Sequence, residues 1–348
     1  MRRRPDRRAF VRAACAACAG ALAVAALCAT IREPARGEGL TRLRVGVLRL
    51  SSSAPVFIAF DRGYFRARGL DVELRFFDAA QPVAVAVAAG DIDIGVTAFT
   101  GGLFNLAGKG ALKVVAGQSR EAQGFPLIAY LAHPRAFDAG LRAPKDLPGR
   151  RVGMTQVGSS FHYSVGLLAA KYGFALKDVE LVPLQSLSNA AAALKGGRTD
   201  AALLPITVAR PLIDAGDAKL LGWVGDETPW QLGAVFASPR MAGDADTMQR
   251  FLDAYRGGTR DYHDVLLATV KDGEAARMPA TEPLLASIAH YTGLAPEKVA
   301  IGLSFIDRDG RLDVASVADQ LRWYQAQGYV DAGVKLDDVI DRRYVLGK

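Results

Sequence analysis

Short apolar runs alternate with helix-length stretches over most of the first 225 positions. Residues 43–48 read as a strand, because a short apolar run bounded by turn residues suits a buried strand. Ser51-Ser52-Ser53-Ala54-Pro55 then switches the chain to a helix. Serine is a good N-cap, and proline fits the first helical turn, where its missing N–H costs nothing. That helix is expected over 56–68, ending at Gly69. Strand 72–77, helix 82–89 stopped by Gly90, strand 92–96, helix 103–108 and strand 113–116 follow. A second set has strand 152–155, helix 161–172 opened by Gly158-Ser159-Ser160 and stopped by Gly173, strand 179–184, helix 189–195, and strands 201–204 and 220–224. Strands alternating with helices imply parallel sheets. Two extended apolar runs, 127–132 and 233–237, read as paired hinge strands crossing between the two sets. Beyond residue 245 the pattern is helical, over 246–257, 261–270, 283–291, 296–301 and 314–327, and this block is expected to pack on the first set.

The two sets are copies in one register. Arg44-Val45-Gly46-Val47 recurs 107 positions later as Arg151-Val152-Gly153-Met154, and Ser52-Ser53 as Ser159-Ser160. Asp71-Val72-Glu73-Leu74 recurs as Asp178-Val179-Glu180-Leu181, and Gly90-x-x-Asp93 as Gly197-x-x-Asp200, at the same offset. This period is too long for a solenoid unit, so it marks two similar lobes. Two lobes with matching loops suggest a cleft and a ligand. The expected division is lobe 1 at 42–132 plus 233–348 and lobe 2 at 133–232.

Composition changes the picture in two places. The formal charge of +7 is uneven: residues 1–29 hold six arginines against one aspartate, leaving the remainder near neutral. That removes the argument for nucleic acid, which needs a basic face on the folded domain. Those arginines, followed by an apolar run and then Arg32-Glu33-Pro34, read as an export signal over 1–29. Arg7-Arg8-Ala9-Phe10-Val11-Arg12 resembles the twin-arginine motif; a retained membrane anchor is the alternative, since the run approaches spanning length. All three cysteines, Cys15, Cys18 and Cys28, fall in this segment. Cleavage after Ala29 would leave a mature chain with no disulfide, thiol nucleophile or cysteine metal site.

Three phrases carry a family resemblance: Ala59-Phe60-Asp61-Arg62-Gly63-Tyr64-Phe65 with Gly69-Leu70-Asp71-Val72; Ala88-Ala89-Gly90-Asp91-Ile92-Asp93-Ile94-Gly95; and Asp146-Leu147-Pro148-Gly149-Arg150-Arg151-Val152-Gly153. Over about 42–345 the chain resembles the solute-binding proteins of ABC importers of the nitrate/sulfonate/taurine type, a group that includes binders of hydroxymethylpyrimidine precursors. The resemblance implies an α/β, two-lobed periplasmic-binding-protein fold of type II, each lobe a mostly parallel sheet flanked by helices, joined by two crossing strands. It implies a periplasmic protein, expected to be a monomer, that delivers a small anionic organic ligand to an ABC permease and ATPase at the inner membrane, with no cofactor.

Candidate ligand residues lie where strands end, since open sheets bind ligands there. Each lobe has a loop after its first strand that opens a helix, whose N-terminus offers free N–H groups and partial positive charge. Ser51, Ser52 and Ser53 on one side, and Gly158, Ser159 and Ser160 on the other, would clamp an anion; the competing role is helix capping alone. Thr97 and Phe99 follow the third strand, Gln118 the fourth, Thr155 precedes the second serine motif, and Pro205 follows the matching strand of lobe 2. Trp230 could stack on an aromatic ligand or pack under the hinge. Arg49 and Arg120 could neutralise a carboxylate, and His162 could touch a ligand; surface positions are the alternative for each. Several members of the resembled family carry Trp-Asp/Glu-Pro where this chain has Leu204-Pro205, a departure that argues against a cationic ligand.

Catalytic constellations are missing. Gly117-Gln118-Ser119-Arg120-Glu121 ends in Glu where a nucleophile elbow needs Gly, and Gly102 to Gly110 departs from a phosphate loop in spacing and in its last residue. Asp307-Arg308-Asp309-Gly310 starts like a calcium loop but lacks the closing Glu. An enzyme on the same fold, related to pyrimidine-precursor synthases, and a ligand-sensing periplasmic protein remain the alternatives to an importer's binding protein.

Overall fold

The computed structural model describes residues 39–271 and 273–347. The chain divides into two units, residues 1–40 and Thr41–Lys348, and every strand and helix described here belongs to the second. The export-signal segment, with its arginines and cysteines, lies outside the described residues.

Two five-stranded sheets organise the second unit. The first contains β1 (Thr41–Leu48), β2 (Leu70–Phe77), β3 (Ile94–Ala98), β4 (Lys113–Gly117) and, from far along the chain, β12 (Gly233–Ala237), in the order β2-β1-β3-β12-β4. The second contains β6 (Ile128–Ala132), β7 (Arg151–Met154), β8 (Glu180–Pro183), β9 (Ala201–Pro205) and β10 (Lys219–Trp223), in the order β10-β6-β9-β7-β8. Reversing the second order superposes the two: three parallel strands, then one antiparallel strand, then an edge. The main helices are α1 (Ala54–Asp61), α2 (Ala80–Ala89), α3 (Gly101–Gly108), α4 (Ser160–Tyr172), α5 (Leu187–Lys195), α6 (Ile206–Asp214), α7 (Ala245–Asp261), α8 (Glu282–Thr292) and α9 (Val314–Ala326).

The repeat survives in three dimensions. Val45 pairs with Ile94 and Val152 with Ala201; Arg44 pairs with Glu73 and Arg151 with Glu180. Every partner keeps the 107-residue offset. The repeated aspartates do the same job in each sheet. Asp93 accepts hydrogen bonds from the Arg44 N–H at 2.9 Å and from its side chain at 3.3 Å. Asp200 does so with Arg151 at 2.9 and 3.2 Å. Burial pushes the Asp93 carboxyl up, but the bonds from Arg44 and the charges of Arg44 and Arg240 outweigh it and hold the group below its ordinary value. Replacing Asp93 by alanine would orphan the Arg44 N–H. We expect Asp93→Ala to cost about 1–3 kcal/mol in urea unfolding; a loss near zero would mean that water replaces the carboxylate without penalty.

The strands that cross between the sheets are not the expected pair. Residues 127–132 and 233–237 read as hinge strands, yet β6 and β12 never pair with each other: each is the antiparallel member of one sheet. The segments that pair between the sheets are β5 (Ser119–Glu121) and β11 (Trp230–Gln231), joined by β13 (Phe305–Ile306). The reason is physical. β6 and β12 are wholly buried and therefore apolar over five residues, whereas β5 and β11 are only three and two residues long, too short to show a period. Residues 128–132, assigned to lobe 1 in the expected division, are hydrogen-bonded into the second sheet.

Helices α7 and α8 of the tail cover the first sheet, while α9 also packs on α4. Glycine at 258 lets α7 press on α1, since a Cβ there would collide with the Pro55 carbonyl. The Tyr255 hydroxyl donates to the Gly117 carbonyl at 3.0 Å, and Tyr291 of α8 donates to Asp61 at 2.7 Å. The helix expected over 56–68 stops at Asp61, where Gly63 turns the chain with φ 70° and Phe65 buries against Phe251.

Candidate ligand-binding site

A narrow cavity lies between the two sheets, at the ends of β1, β3, β7 and β9. Its walls are built from equivalent positions of the two repeats. Leu48 and Thr155, Ser52 and Ser159, Ser53 and Ser160, Ala80 and Leu187, and Ala98 and Pro205 all line it, each pair separated by the same 107 residues.

On the first wall, Ser51–Ser53 form a single 3-10 turn that feeds directly into α1, with Pro55 in its first turn. Gln118 fixes this turn from behind: its Nε2 donates to the Ser52 carbonyl at 2.9 Å. On the second wall, Gly158 turns the chain with φ 77°, a conformation that favours glycine. Ser159 then caps α4, its Oγ accepting from the His162 N–H at 3.4 Å. Among the described residues, Ser52, Ser53, Thr97, Thr155 and Ser160 are buried and border the cavity, and their hydroxyls make no hydrogen bond to other side chains or backbone.

The two serine motifs are therefore not equivalent in use. Ser159 spends its hydroxyl on the helix, while Ser160 and its counterpart Ser53 do not. Ser159→Ala should lower stability by about 1 kcal/mol, the usual value of a cap. An unchanged melting temperature would show that the 3.4 Å bond carries no weight.

Charge is absent from the lining: among the described residues no Arg, Lys, His, Asp or Glu borders the cavity. Arg49 instead lies 3.8 Å over the Phe76 ring and donates to the Tyr291 carbonyl at 3.3 Å. Arg120 pairs with Asp313 at 2.8 Å. His162 is buried beside the cavity; its Nδ1 accepts from the Gly158 N–H at 3.1 Å, and burial lowers its pKa to about 4, so it is neutral near pH 7.

Of the residues expected at a ligand, Ser52, Ser53, Thr97, Gln118, Thr155, Ser159, Ser160 and Pro205 meet at this cavity. Four lie elsewhere. Ser51 turns away to the Ser304 hydroxyl at 3.4 Å. Phe99 is fully buried and stacks on Phe104 at 5.4 Å. Gly158 shapes the turn but does not line the space, and Trp230 packs edge-on against Tyr163 at 4.8 Å. For Trp230, packing beside the hinge is the role the geometry supports. Sequence reasoning missed Leu48, Ala80, Ala98 and Leu187, although extending the repeat from Thr155 and Pro205 would have found two of them. Leu187 also touches the opposite lobe, its N–H donating to the Asp78 carbonyl at 3.4 Å.

Among the described residues no group of His, Cys, Asp and Glu is arranged to hold a metal ion, and no helix is long and apolar enough to cross a membrane.

Known proteins share this architecture. The alkanesulfonate-binding protein of Xanthomonas axonopodis pv. citri, solved with MOPS bound, matches with a TM-score of 0.68 at 20% identity, over 90% of this chain and 100% of that one. The nitrate-binding protein of Synechocystis PCC 6803 matches with a TM-score of 0.69 at 13% identity, over 88% of this chain and 87% of that one. The fold is thus that of periplasmic binding proteins. In sequence, the taurine-binding periplasmic protein of Escherichia coli K12 is 29% identical over 157 residues, and the match spans 44% of this chain and 46% of that relative. Residues 51–264, which hold both serine motifs and more than half of the chain, match the model of the NMT1/THI5-like family, and the protein belongs to that family.

Proposed function

We propose that this protein is the solute-binding component of an ABC importer, and that its cleft captures a small organic anion, a sulfonate or carboxylate on an apolar body. The observation that carries this reading is the pairing of buried, unpartnered hydroxyls on opposite walls of one cavity, beside the starts of α1 and α4. Helix N-termini attract anions through their free N–H groups and partial positive charge. Neutral donors of this kind hold an oxyanion without burying a cation, which would itself need a partner when the site is empty. The rest of the wall is apolar, from Leu50, Leu127, Ile128, Phe161, Leu187 and Leu232, and suits a hydrocarbon body. Lobe 1 comprises the first sheet with the helical tail and lobe 2 the second sheet, hinged at β5 and β11. Export to the periplasm and delivery to a permease and ATPase complete the reading.

The similarity to a taurine-binding protein does not extend to the ammonium end of that ligand: among the described residues no carboxylate lines this cavity to receive one. Nor does the lining, among the described residues, contain a group suited to general acid or base work, which disfavours an enzyme on this scaffold. A thermal-shift screen tests the proposal, because a ligand that binds only the native state raises the melting temperature. Alkane- and arenesulfonates and hydrophobic carboxylates should raise it, and taurine should do so less than an ammonium-free sulfonate of equal length. A best response from a cation or a zwitterion would sink the assignment.

A further inference from the structure

The second wall of the cavity is held to the first lobe by groups that do not line it. The Gly158 carbonyl accepts from the Gly101 N–H, at the start of α3, at 2.9 Å. The next carbonyl, of Ser159, accepts from the Tyr324 hydroxyl of α9 at 3.0 Å. The Gly158 N–H is taken by His162 Nδ1 at 3.1 Å, so every polar backbone group of this turn near the seam has a partner. The His162 ring in turn meets two aromatics of the tail, Trp323 edge-on at 5.4 Å and Tyr329 at 5.0 Å. Trp323 lies against Gly166, one turn further along α4, where any Cβ would collide with the indole. α9 therefore runs from the hinge, where Ser316 accepts from the Gln231 N–H at 2.9 Å, to the cavity wall.

We propose that Tyr324 and His162 are positioning residues that latch the Gly158–Ser159 turn of lobe 2 onto lobe 1 and so set the balance between closed and open cleft. The proposal rests on the cavity being a ligand site that opens at the hinge. The Tyr324 bond and the His162 ring contacts with Trp323 and Tyr329 cross between the lobes and would be lost when they part, whereas the His162–Gly158 bond braces the turn from within its own lobe.

The latch is proton-sensitive. Among the described residues no charged side chain faces the imidazole; the titratable groups around it are Tyr329 from the tail and Tyr163, its neighbour on α4. Burial alone depresses it, from 6.5 to about 4. The closed form thus excludes a proton that a hydrated, open form would accept. Closure is favoured above pH 6.5 and loses up to tenfold in the closed-to-open ratio for each pH unit between 6.5 and about 4.

The test uses the protein alone, so an error in the ligand class leaves it intact. Small-angle scattering and acrylamide quenching of tryptophan fluorescence are measured for wild type, Tyr324→Phe, His162→Phe and His162→Asn. Losing one hydrogen bond should lower the closed-to-open ratio roughly 2- to 10-fold. The two phenylalanine variants should show a larger radius of gyration and stronger quenching at pH 7.5, with unchanged far-UV circular dichroism. Asparagine keeps an acceptor for the Gly158 N–H and should stay near wild type. Wild type should also open between pH 7.5 and pH 5, and His162→Asn should not. If both phenylalanine variants fold and scatter like wild type, or if the asparagine variant opens with acid as wild type does, the latch is overturned. Should Tyr324→Phe fail to fold, the two His162 variants decide.

Discussion

The double variant Ser53→Ala/Ser160→Ala should lose between about 10²- and 10⁴-fold in affinity for whichever sulfonate or carboxylate gives the largest thermal shift. Each hydroxyl bond to a charged group contributes ~1.5–3 kcal/mol, and 1.4 kcal/mol is tenfold in a dissociation constant. The two serines sit at equivalent positions on opposite walls and share no partner, so their losses should nearly add. Stability in the absence of ligand should hardly move, because neither hydroxyl caps a helix. Isothermal titration beside a melting curve separates the two effects. Intact affinity in a folded double variant would remove the serines from the site. A lower melting temperature with intact affinity would make them structural.

Glu121→Gln should stabilise the protein at alkaline pH and flatten its pH dependence. Glu121 lies on the hinge strand β5, fully buried, and neither carboxylate oxygen has a hydrogen-bond partner among the described residues. Burial pushes its pKa well above the ordinary 4.5; the N–H groups of Gly225 and Ile128 oppose the rise without reaching bonding geometry, and the nearby charge of Asp226 adds to it. The sign follows directly. Below pH 4.5 the group is protonated in folded and unfolded chains alike, and its neutral form fits the fold at no electrostatic cost. Above that, the unfolded chain ionises first, and the folded state loses stability until the pH passes the raised folded value. The slope attributable to this group is up to ~1.4 kcal/mol per pH unit. The amide does not titrate, so the stability gap between variant and wild type should open steadily from pH 5 to pH 8. A constant gap across that interval would mean that Glu121 is ionised in the fold and has found a donor.

Much of this architecture was legible in the chain because a strand buried on both faces must be apolar along its whole length. That requirement writes β3, β6, β9 and β12, and the buried C-terminal parts of β1 and β7, into the sequence as short hydrophobic runs. The offset of 107 residues went further. Equal backbone geometry around Arg44 and Asp93, and around Arg151 and Asp200, needs equal residues, so the repeat determined strand register and the location of the cavity-forming loops. It also carried Ser52, Ser53, Ser159 and Ser160 to one place, since equivalent loops of two facing lobes must meet across their cleft.

What the sequence left open was the direction of each side chain at a strand end. Phe99 and Thr97 are two residues apart, yet only Thr97 reaches the cavity, because Phe104 offers Phe99 an apolar neighbour inside the lobe. Arg49 and Gln156 occupy equivalent positions in the repeat, yet only Gln156 lines the site; Phe76, brought alongside by β2, draws the guanidinium away. The crossing strands β5 and β11 were invisible for a related reason. They are held by pairing across more than one hundred residues and by the buried amide of Gln231, which donates to the Ser119 carbonyl at 3.3 Å, not by any local pattern. Local sequence decides which segments must be buried. Only the packed neighbours, distant along the chain, decide which way a side chain turns once it is there.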